Sequence, residues 1–200
     1  MPRSVLRLGP ACAGVAMAAI GAFTAIAAPA PRDEPGLSIH LVPASSEPCD
    51  IDQRALRCAD LVHRGDPGVR QYAYFVLSGF RGIVTVQFSI GYDPAVRVGQ
   101  WHPCVGGMEF SSPDWPASGA GMGITSSRCL PAQGPDSLLV LGAVEIEPGS
   151  WGRIWIDRYT HEVGSQIETC DDPPQQIDIQ VRRMGLVRVD GAHPGRVVCR

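Results

Sequence analysis

The chain has 200 residues, of which 44% are hydrophobic and 18% are charged, and its formal net charge is −3. This much apolar sequence with so little net charge excludes a disordered protein, and the lack of a basic excess argues against nucleic-acid binding by bulk charge. The 23 glycines and 18 prolines predict many turns and few long helices, so we expect one globular domain rich in turns.

The first 27 residues are predicted to be a signal peptide. Arg3 and Arg7 flank the start of an uncharged run over residues 8–31, and the Ala-Ile-Ala at 25–27 fits the small-x-small motif of a cleavage site. An uncleaved membrane anchor is the alternative, because the run is long enough to cross a bilayer. Its core consists mostly of Ala and Gly, however, which would make a weak anchor.

Cleavage at this motif sets the rest of the domain organisation. Residues 1–27 would be removed together with Cys12, residues 28–35 would form a short linker, and residues 36–200 would form a single domain. No membrane span would remain, so we expect a secreted protein, located extracellularly, at the cell surface or in the periplasm.

Alternation of apolar and polar residues predicts strands along this domain. The clearest strand is 82–92, whose apolar face comprises Val84, Val86, Phe88, Ile90 and Tyr92. The continuous apolar run at 72–77 suits a strand that is buried on both faces. Further strands are expected at 37–41, 137–145, 151–157, 177–181 and 186–189, and one or two helical turns at 52–63. About eight short strands with frequent turns predict an all-β fold, an antiparallel β-sandwich of jelly-roll or immunoglobulin-like type.

Residues 82–96, with the sequence GIVTVQFSIGYDPAV, resemble the strand-and-turn motif of cohesin-type modules. Those modules are secreted bacterial jelly-roll sandwiches that bind partner proteins or, in related carbohydrate-binding modules, carbohydrate. The resemblance extends in weaker form over residues 72–160. It implies a cohesin-like sandwich whose partner is a protein or a carbohydrate.

The six cysteines that remain after removal of Cys12 are predicted to form disulfides, because an even number of cysteines in an exported chain indicates a disulfide framework. No pair has the C-x-x-C spacing of zinc or thioredoxin-type sites. Fifteen pairings are open, and we expect sequential pairing, in which each bridge closes one neighbouring segment. The expected bridges are Cys49–Cys58, Cys104–Cys129 and Cys170–Cys199.

The sequence predicts no catalytic residues. It lacks the G-x-S-x-G motif of α/β-hydrolases, and its five histidines show no recognisable Ser-His-Asp order. His161-Glu162 begins like the helix of a zinc protease, but Ser165 stands where the second histidine is needed. A loop is therefore expected there.

Two carboxylate pairs could serve as the acid–base pair of a glycosidase. Asp157 with Glu162 and Asp171 with Asp172 are expected to lie in solvated turns, because their spacing fixes no separation between the carboxylates. A structural Ca²⁺ at the Asp171-Asp172 turn or at residues 50–52 is the alternative. The prediction is a protein with no cofactor and no metal site.

The segment 105–135 is the predicted binding surface. It is rich in Gly, Ser and Pro, and loops on a rigid sandwich are where binding residues concentrate. Its candidate ligand-binding residues are Met108, Phe110, Trp115 and Met122. The alternative is that these side chains merely close an open end of the sandwich. The other three tryptophans, at positions 101, 151 and 155, are expected in the core or on the sheet faces.

These observations favour a secreted, non-catalytic binding module that presents loops on a β-sandwich for protein or glycan recognition. A structural or assembly subunit, whose edge strands pair with neighbours, is the second hypothesis. A secreted hydrolase is the third. Nucleic acid is not expected as a partner, and no membrane span is expected in the mature chain.

Overall fold

The computed structural model describes residues 34–44, 47–159, 164–190 and 193–199. The predicted signal peptide and the His161-Glu162 pair lie outside these residues. The described part is an antiparallel β-sandwich with eleven strands and two single 3-10 turns, Cys58–Asp60 and Val181–Arg183, so the predicted fold class is confirmed. The strands are β1 Gly36–Pro43, β2 Gln71–Ser78, β3 Gly82–Tyr92, β4 Val96–Pro103, β5 Met108–Ser111, β6 Gly121–Pro131, β7 Leu139–Pro148, β8 Arg153–Asp157, β9 Gln166–Thr169, β10 Gln176–Asp178 and β11 Leu186–Arg188.

The strands form two sheets that pack face to face. The four-stranded sheet has the order β1-β2-β7-β4, and the seven-stranded sheet has the order β10-β9-β3-β6-β5. The remaining two strands of the larger sheet extend it at the end of β3, where β8 pairs with residues 89–92 and β11 pairs with β8. β9 pairs with residues 83–87 of the same strand, so two short strands share one edge of β3.

β3 is the central strand of the larger sheet, and its inward side chains fill the core between the sheets. Phe88 and Ile90 are fully buried, as the alternation predicts. A register shift between Ile83 and Thr85 interrupts the alternation near the start of the strand. Ile83 therefore belongs to the core, and Val84, which was expected there, is only half-buried.

The outer face of the four-stranded sheet is covered by residues 47–63, called the cover below. Leu56 and Leu61 of the cover are buried against Tyr74 and Val76 of β2, and the backbone N–H of Cys49 donates to the Tyr74 hydroxyl at 3.1 Å. β2 is consequently buried on both faces, as its continuous apolar run predicts. The expected helical turns at 52–63 are represented by a hydrogen-bonded turn, in which the Leu56 N–H donates to the Asp52 carbonyl at 3.1 Å, and by the 3-10 turn at 58–60.

The sequential disulfide pairing is wrong. The bridges are Cys49–Cys104, Cys58–Cys199 and Cys129–Cys170, with sequence separations of 55, 141 and 41 residues. The sandwich itself is the reason. Folding brings the cover against the end of β4 and the C-terminal residues 197–199, so each cysteine of the cover meets a partner that is distant in sequence.

The third bridge crosses β3. Cys129 lies in β6 and Cys170 follows β9, and these strands flank β3 on its two sides. Gly82 leaves the space that the bridge occupies, since a Cβ at this position would lie 2.6 Å from the Cys129 sulfur. The cystine therefore ties together three neighbouring strands of the larger sheet.

No helix in the described part of the chain has the length and apolar character needed to span a membrane.

Candidate binding surface on the seven-stranded sheet

The outer face of the seven-stranded sheet carries the side chains that alternate with its core row. On β5 these are Met108 and Phe110, which stand beside Thr125 and Gly123 of β6. On β8 they include Trp155, which stands beside Gly91 of β3. In contrast to the covered face of the smaller sheet, this face displays exposed apolar side chains, with Met108 72% and Phe110 39% exposed.

Three aromatic rings lie against three glycines of this face. The Phe110 ring occupies the place that a Cβ of Gly123 would take, and the Trp155 indole occupies that of Gly91. A Cβ on Gly121 would lie 2.8 Å from the ring of Tyr159. Glycine in a strand marks a place where another group approaches the backbone closely, and here that group is an aromatic ring. We call Phe110, Tyr159 and Trp155 the aromatic strip.

The predicted binding loop is partly strand, and this corrects one of its residues. β5 and β6 both lie within 105–135, so the side chains of this segment alternate there between the two faces of the sheet. Met122 points inward and is 1% exposed, because it follows the core row of β6 with Ile124. It is therefore removed from the candidate surface, whereas Met108 and Phe110 share one exposed face.

Trp115 lies between the sheets and not on the aromatic strip. Its half-buried ring makes edge-on contacts with Phe88 and Trp101, at centroid distances of 5.9 and 5.6 Å. This packing matches the alternative in which Trp115 closes an end of the sandwich. Trp151, which was expected in the core or on a sheet face, is instead 57% exposed, because the turn that follows β7 extends as far as Gly152.

Glu109 is a structural residue of this region that sequence reasoning missed. It alternates with Met108 and Phe110 on β5, and its carboxylate accepts a hydrogen bond from the indole N–H of buried Trp101 at 3.0 Å. This contact ties the edge strand to the core of the sandwich. The alternation of Met108, Glu109 and Phe110 is the sequence signal that could have indicated it.

Charged groups border the strip on β8. Arg153 donates two hydrogen bonds to Asp93, at 2.9 and 3.0 Å, and its guanidinium lies 5.6 Å from the centre of the Trp155 ring. These hydrogen bonds from Arg153 hold the pKa of Asp93 below its usual value. The Asp of the cohesin-like motif at 82–96 thus fixes the start of β8, where the aromatic strip ends.

The candidate carboxylates for catalysis or calcium form no metal-binding cluster in the described part of the chain. No three His, Cys, Asp or Glu side chains described here lie close enough to hold a metal ion. Asp52 accepts a hydrogen bond from the Arg54 N–H at 3.0 Å, and Asp171 and Asp172 are exposed in a turn. Glu162, the expected partner of Asp157, lies outside the described residues.

No protein-family model matches the chain, and no curated protein sequence matches it. A cohesin module of a family 33 glycoside hydrolase from Clostridium perfringens is similar in structure, with 10% identity and a TM-score of 0.45 over 64% of this chain and 88% of that one. A cohesin from Acetivibrio cellulolyticus, solved in complex with a dockerin, has 14% identity and a TM-score of 0.37 over 59% of this chain and 94% of that one. Both of these solved structures are cohesin modules, the family whose strand-and-turn motif residues 82–96 resemble.

Proposed function

We propose that this chain is an exported, non-catalytic binding module that recognises a protein partner through the outer face of its seven-stranded sheet. One observation carries the proposal: Met108 and Phe110 are exposed side by side at one end of the aromatic strip. Aromatic residues and methionine are enriched where proteins bind proteins, because they bury much area and adapt to the partner.

The size of the face supports a protein partner. The seven strands of this sheet comprise 41 residues, and at about 3.3 Å per residue and about 4.8 Å between strands they give a face of roughly 650 Å². This is about the area that one partner contributes to a protein–protein interface of standard size. The opposite outer face, on the smaller sheet, is already occupied by the cover.

The rigidity of the face supports a role in binding and not in catalysis. The Cys129–Cys170 bridge ties the strands on both sides of β3, so little order has to be gained when a partner docks. Three disulfides suit an oxidising compartment, in agreement with the predicted signal peptide.

A glycan is the alternative ligand, because aromatic rings lying on a sheet can stack against sugar rings. The position of Arg153 favours a protein instead. Its guanidinium lies over the Trp155 ring, so the Trp155 end of the strip carries a charged group beside its aromatic surface. Mixed apolar and charged groups of this kind are typical of protein interfaces.

Site-specific photocrosslinking tests the proposal. A benzophenone amino acid replaces Phe110 in one variant and Trp151 in a control variant, because Trp151 is also an exposed aromatic residue but lies in the turn before β8 and is not part of the strip. Each purified protein is illuminated with the secreted proteins of its source organism. We expect a discrete adduct at position 110 that is absent at position 151.

The partner captured in the adduct is then identified and produced on its own. Its affinity for the wild-type chain and for each variant is measured by calorimetry. The double variant Met108→Ala/Phe110→Ala should bind at least about tenfold more weakly, since truncating interface anchors costs about 1.4 kcal/mol or more. Trp151→Ala should bind like the wild type. Equal adducts at both positions, or an unchanged affinity of the double variant, would reject the protein-binding proposal. The proposal would also be rejected if the wild type bound a polysaccharide and the double variant did not.

A further inference from the structure

The outer edge of β5 is open to solvent. All residues of β5 are exposed, and in the described part of the chain β6 is the only strand that pairs with it. The pairing with β6 runs without a register shift from Met108 to Ser111, and the Ser112 N–H extends it by donating to the Gly121 carbonyl at 2.9 Å. A straight edge of this kind presents backbone N–H and C=O groups with which another strand can pair.

Two other edge strands are covered by segments of the chain itself. On β1, the Leu37 carbonyl accepts a hydrogen bond from the Gly185 N–H at 2.7 Å, and the Leu41 N–H donates to a carbonyl of the cover at 2.8 Å. On β11, Leu186 exchanges backbone hydrogen bonds with Arg196, at 3.0 and 2.6 Å. Both edges are therefore already occupied.

The remaining two edge strands carry features that keep a strand from pairing with another chain. β4 has a register shift between Val98 and Trp101 and an exposed Arg97, and β10 has only three residues and ends at the exposed Asp178. β5 has neither proline nor bulge, and its single charged side chain, Glu109, accepts the indole N–H of Trp101. Among the described edge strands, β5 is thus the one that is left open.

The backbone groups at this open edge belong to Glu109 and Ser111. In an antiparallel pair, successive residues direct their N–H and C=O groups alternately to the two sides of the strand. The Ser112 N–H donates to β6, so the backbone groups of Phe110 face β6 as well, and those of Glu109 and Ser111 face away from the sheet. The Phe110 ring lies over Gly123 of β6, so it does not cover the open edge.

We propose that β5 pairs antiparallel with β5 of a second copy of this chain about a twofold axis, which joins the two seven-stranded sheets into one. An antiparallel pair has this symmetry by itself, so one edge serves both partners. The two core faces stay on the same side of the joined sheet only if side chains that point outward stand opposite each other. This condition restricts the register of the pair.

The register follows from the open edge itself. Full overlap of residues 108–112 places Phe110 opposite Phe110 of the second copy and Glu109 opposite Ser111, and these last two residues then exchange their free backbone hydrogen bonds. A neighbouring register that also keeps the faces aligned places the two Glu109 carboxylates opposite each other, which is unfavourable. In the favoured register Met108, which is 72% exposed, lies diagonal to Phe110 of the second copy and within its reach.

This pairing is independent of the proposed protein partner. It uses the backbone edge of β5 and leaves the aromatic strip on the outer face of the joined sheet. A failure of the chain to dimerise would therefore leave the proposed binding face untouched, and the two proposals are tested by different measurements.

Sedimentation equilibrium of the purified chain alone tests the dimer. The contact is small, so we expect a weak dimer whose population rises with protein concentration. Ser111→Pro removes an N–H that β6 does not use, and it should weaken dimerisation at least about tenfold. A chain that stays monomeric at every concentration, or a dimer that Ser111→Pro leaves unchanged, would overturn the proposal.

Charge at position 111 tests the register. In Ser111→Lys the new ammonium group stands opposite Glu109 of the second copy, so the dimer should become about two- to thirtyfold tighter, and Ser111→Glu should weaken it by a similar factor. The matched controls Ser150→Lys and Ser150→Glu make the same charge changes in the exposed turn before β8 and should leave the dimer unchanged. Equal effects of Ser111→Lys and Ser111→Glu would overturn the proposal even if Ser111→Pro fails to fold.

Discussion

At the scale of single residues, His40 joins β1 to the cover through its ring nitrogen Nδ1. This nitrogen can accept a hydrogen bond only while it is not protonated. Its Nδ1 accepts the backbone N–H of Val62 at 2.8 Å, and the ring is 7% exposed. Burial lowers the pKa of His40 to about 4, against the opposing attraction of Asp60. Protonation would place a second donor against the Val62 N–H, so the neutral ring is the form that holds the cover.

This residue predicts a loss of stability in mild acid. The unfolded chain takes up a proton on His40 near its ordinary pKa of about 6.5, whereas the native chain takes it up only near 4. The stabilising contribution is therefore complete above pH 6.5 and is lost as the pH falls towards 4, by about 3 kcal/mol in the free energy of unfolding.

Urea denaturation between pH 7.5 and 4 measures this effect. In His40→Gln the side-chain amide oxygen can still accept the Val62 N–H but does not titrate, so the decline should be shallower than in the wild type by that amount. The same decline in both proteins would contradict the assigned role of His40.

At the scale of elements, Glu109 decides how firmly the edge strand β5 is attached. Glu109→Ala would leave the indole N–H of Trp101 buried without an acceptor, and this costs about 1–3 kcal/mol. Glu109→Gln retains an acceptor oxygen and should lose less than half of that stability. Chemical denaturation followed by tryptophan fluorescence checks both variants, and equal stability of Glu109→Ala and wild type would contradict the role.

The elements also show what sequence patterns can predict. β3 was predicted with its correct bounds, because apolar side chains occupy nearly every second position. β6 was missed because its outward positions hold Gly121 and Gly123, which give no polar signal. Those glycines leave room for the aromatic rings that lie against them. Contacts of this kind join segments that are distant in sequence, so they produce no periodic pattern in the sequence.

The same limit applies to the candidate surface. Met108 and Phe110 were predicted as surface residues, and the structure places them on one face. Met122 lies in the same stretch, and only the strand alternation of β6 separates it from them. The part played by Tyr159 could not be inferred, because it depends on the approach of residue 159 to β6 in space.

At the scale of the whole molecule, the Cys58–Cys199 bridge joins the cover to the C-terminal segment. It closes a span of 141 residues, so the chain-entropy model gives it about 5 kcal/mol of stabilisation. In Cys58→Ser/Cys199→Ser we expect hydrogen exchange to accelerate first in residues 47–63 and 193–199, while β3 and β6 retain their protection.

The matched control is Cys129→Ser/Cys170→Ser, which removes the bridge across β3 instead. In this variant the loss of protection should concentrate in β6 and β9, with the cover retained. If both variants lost protection in the same residues, the bridges would not act on separate parts of the sandwich.

Glu34 and Cys199 line one depression, so the first and last described stretches of the domain run side by side where they leave it. A polypeptide whose ends emerge together can be grafted into a surface turn of another protein, or reconnected and reopened elsewhere, without stretching either end. The described sandwich is thus suited to insertion into a surface turn of a host protein, with its aromatic strip still exposed.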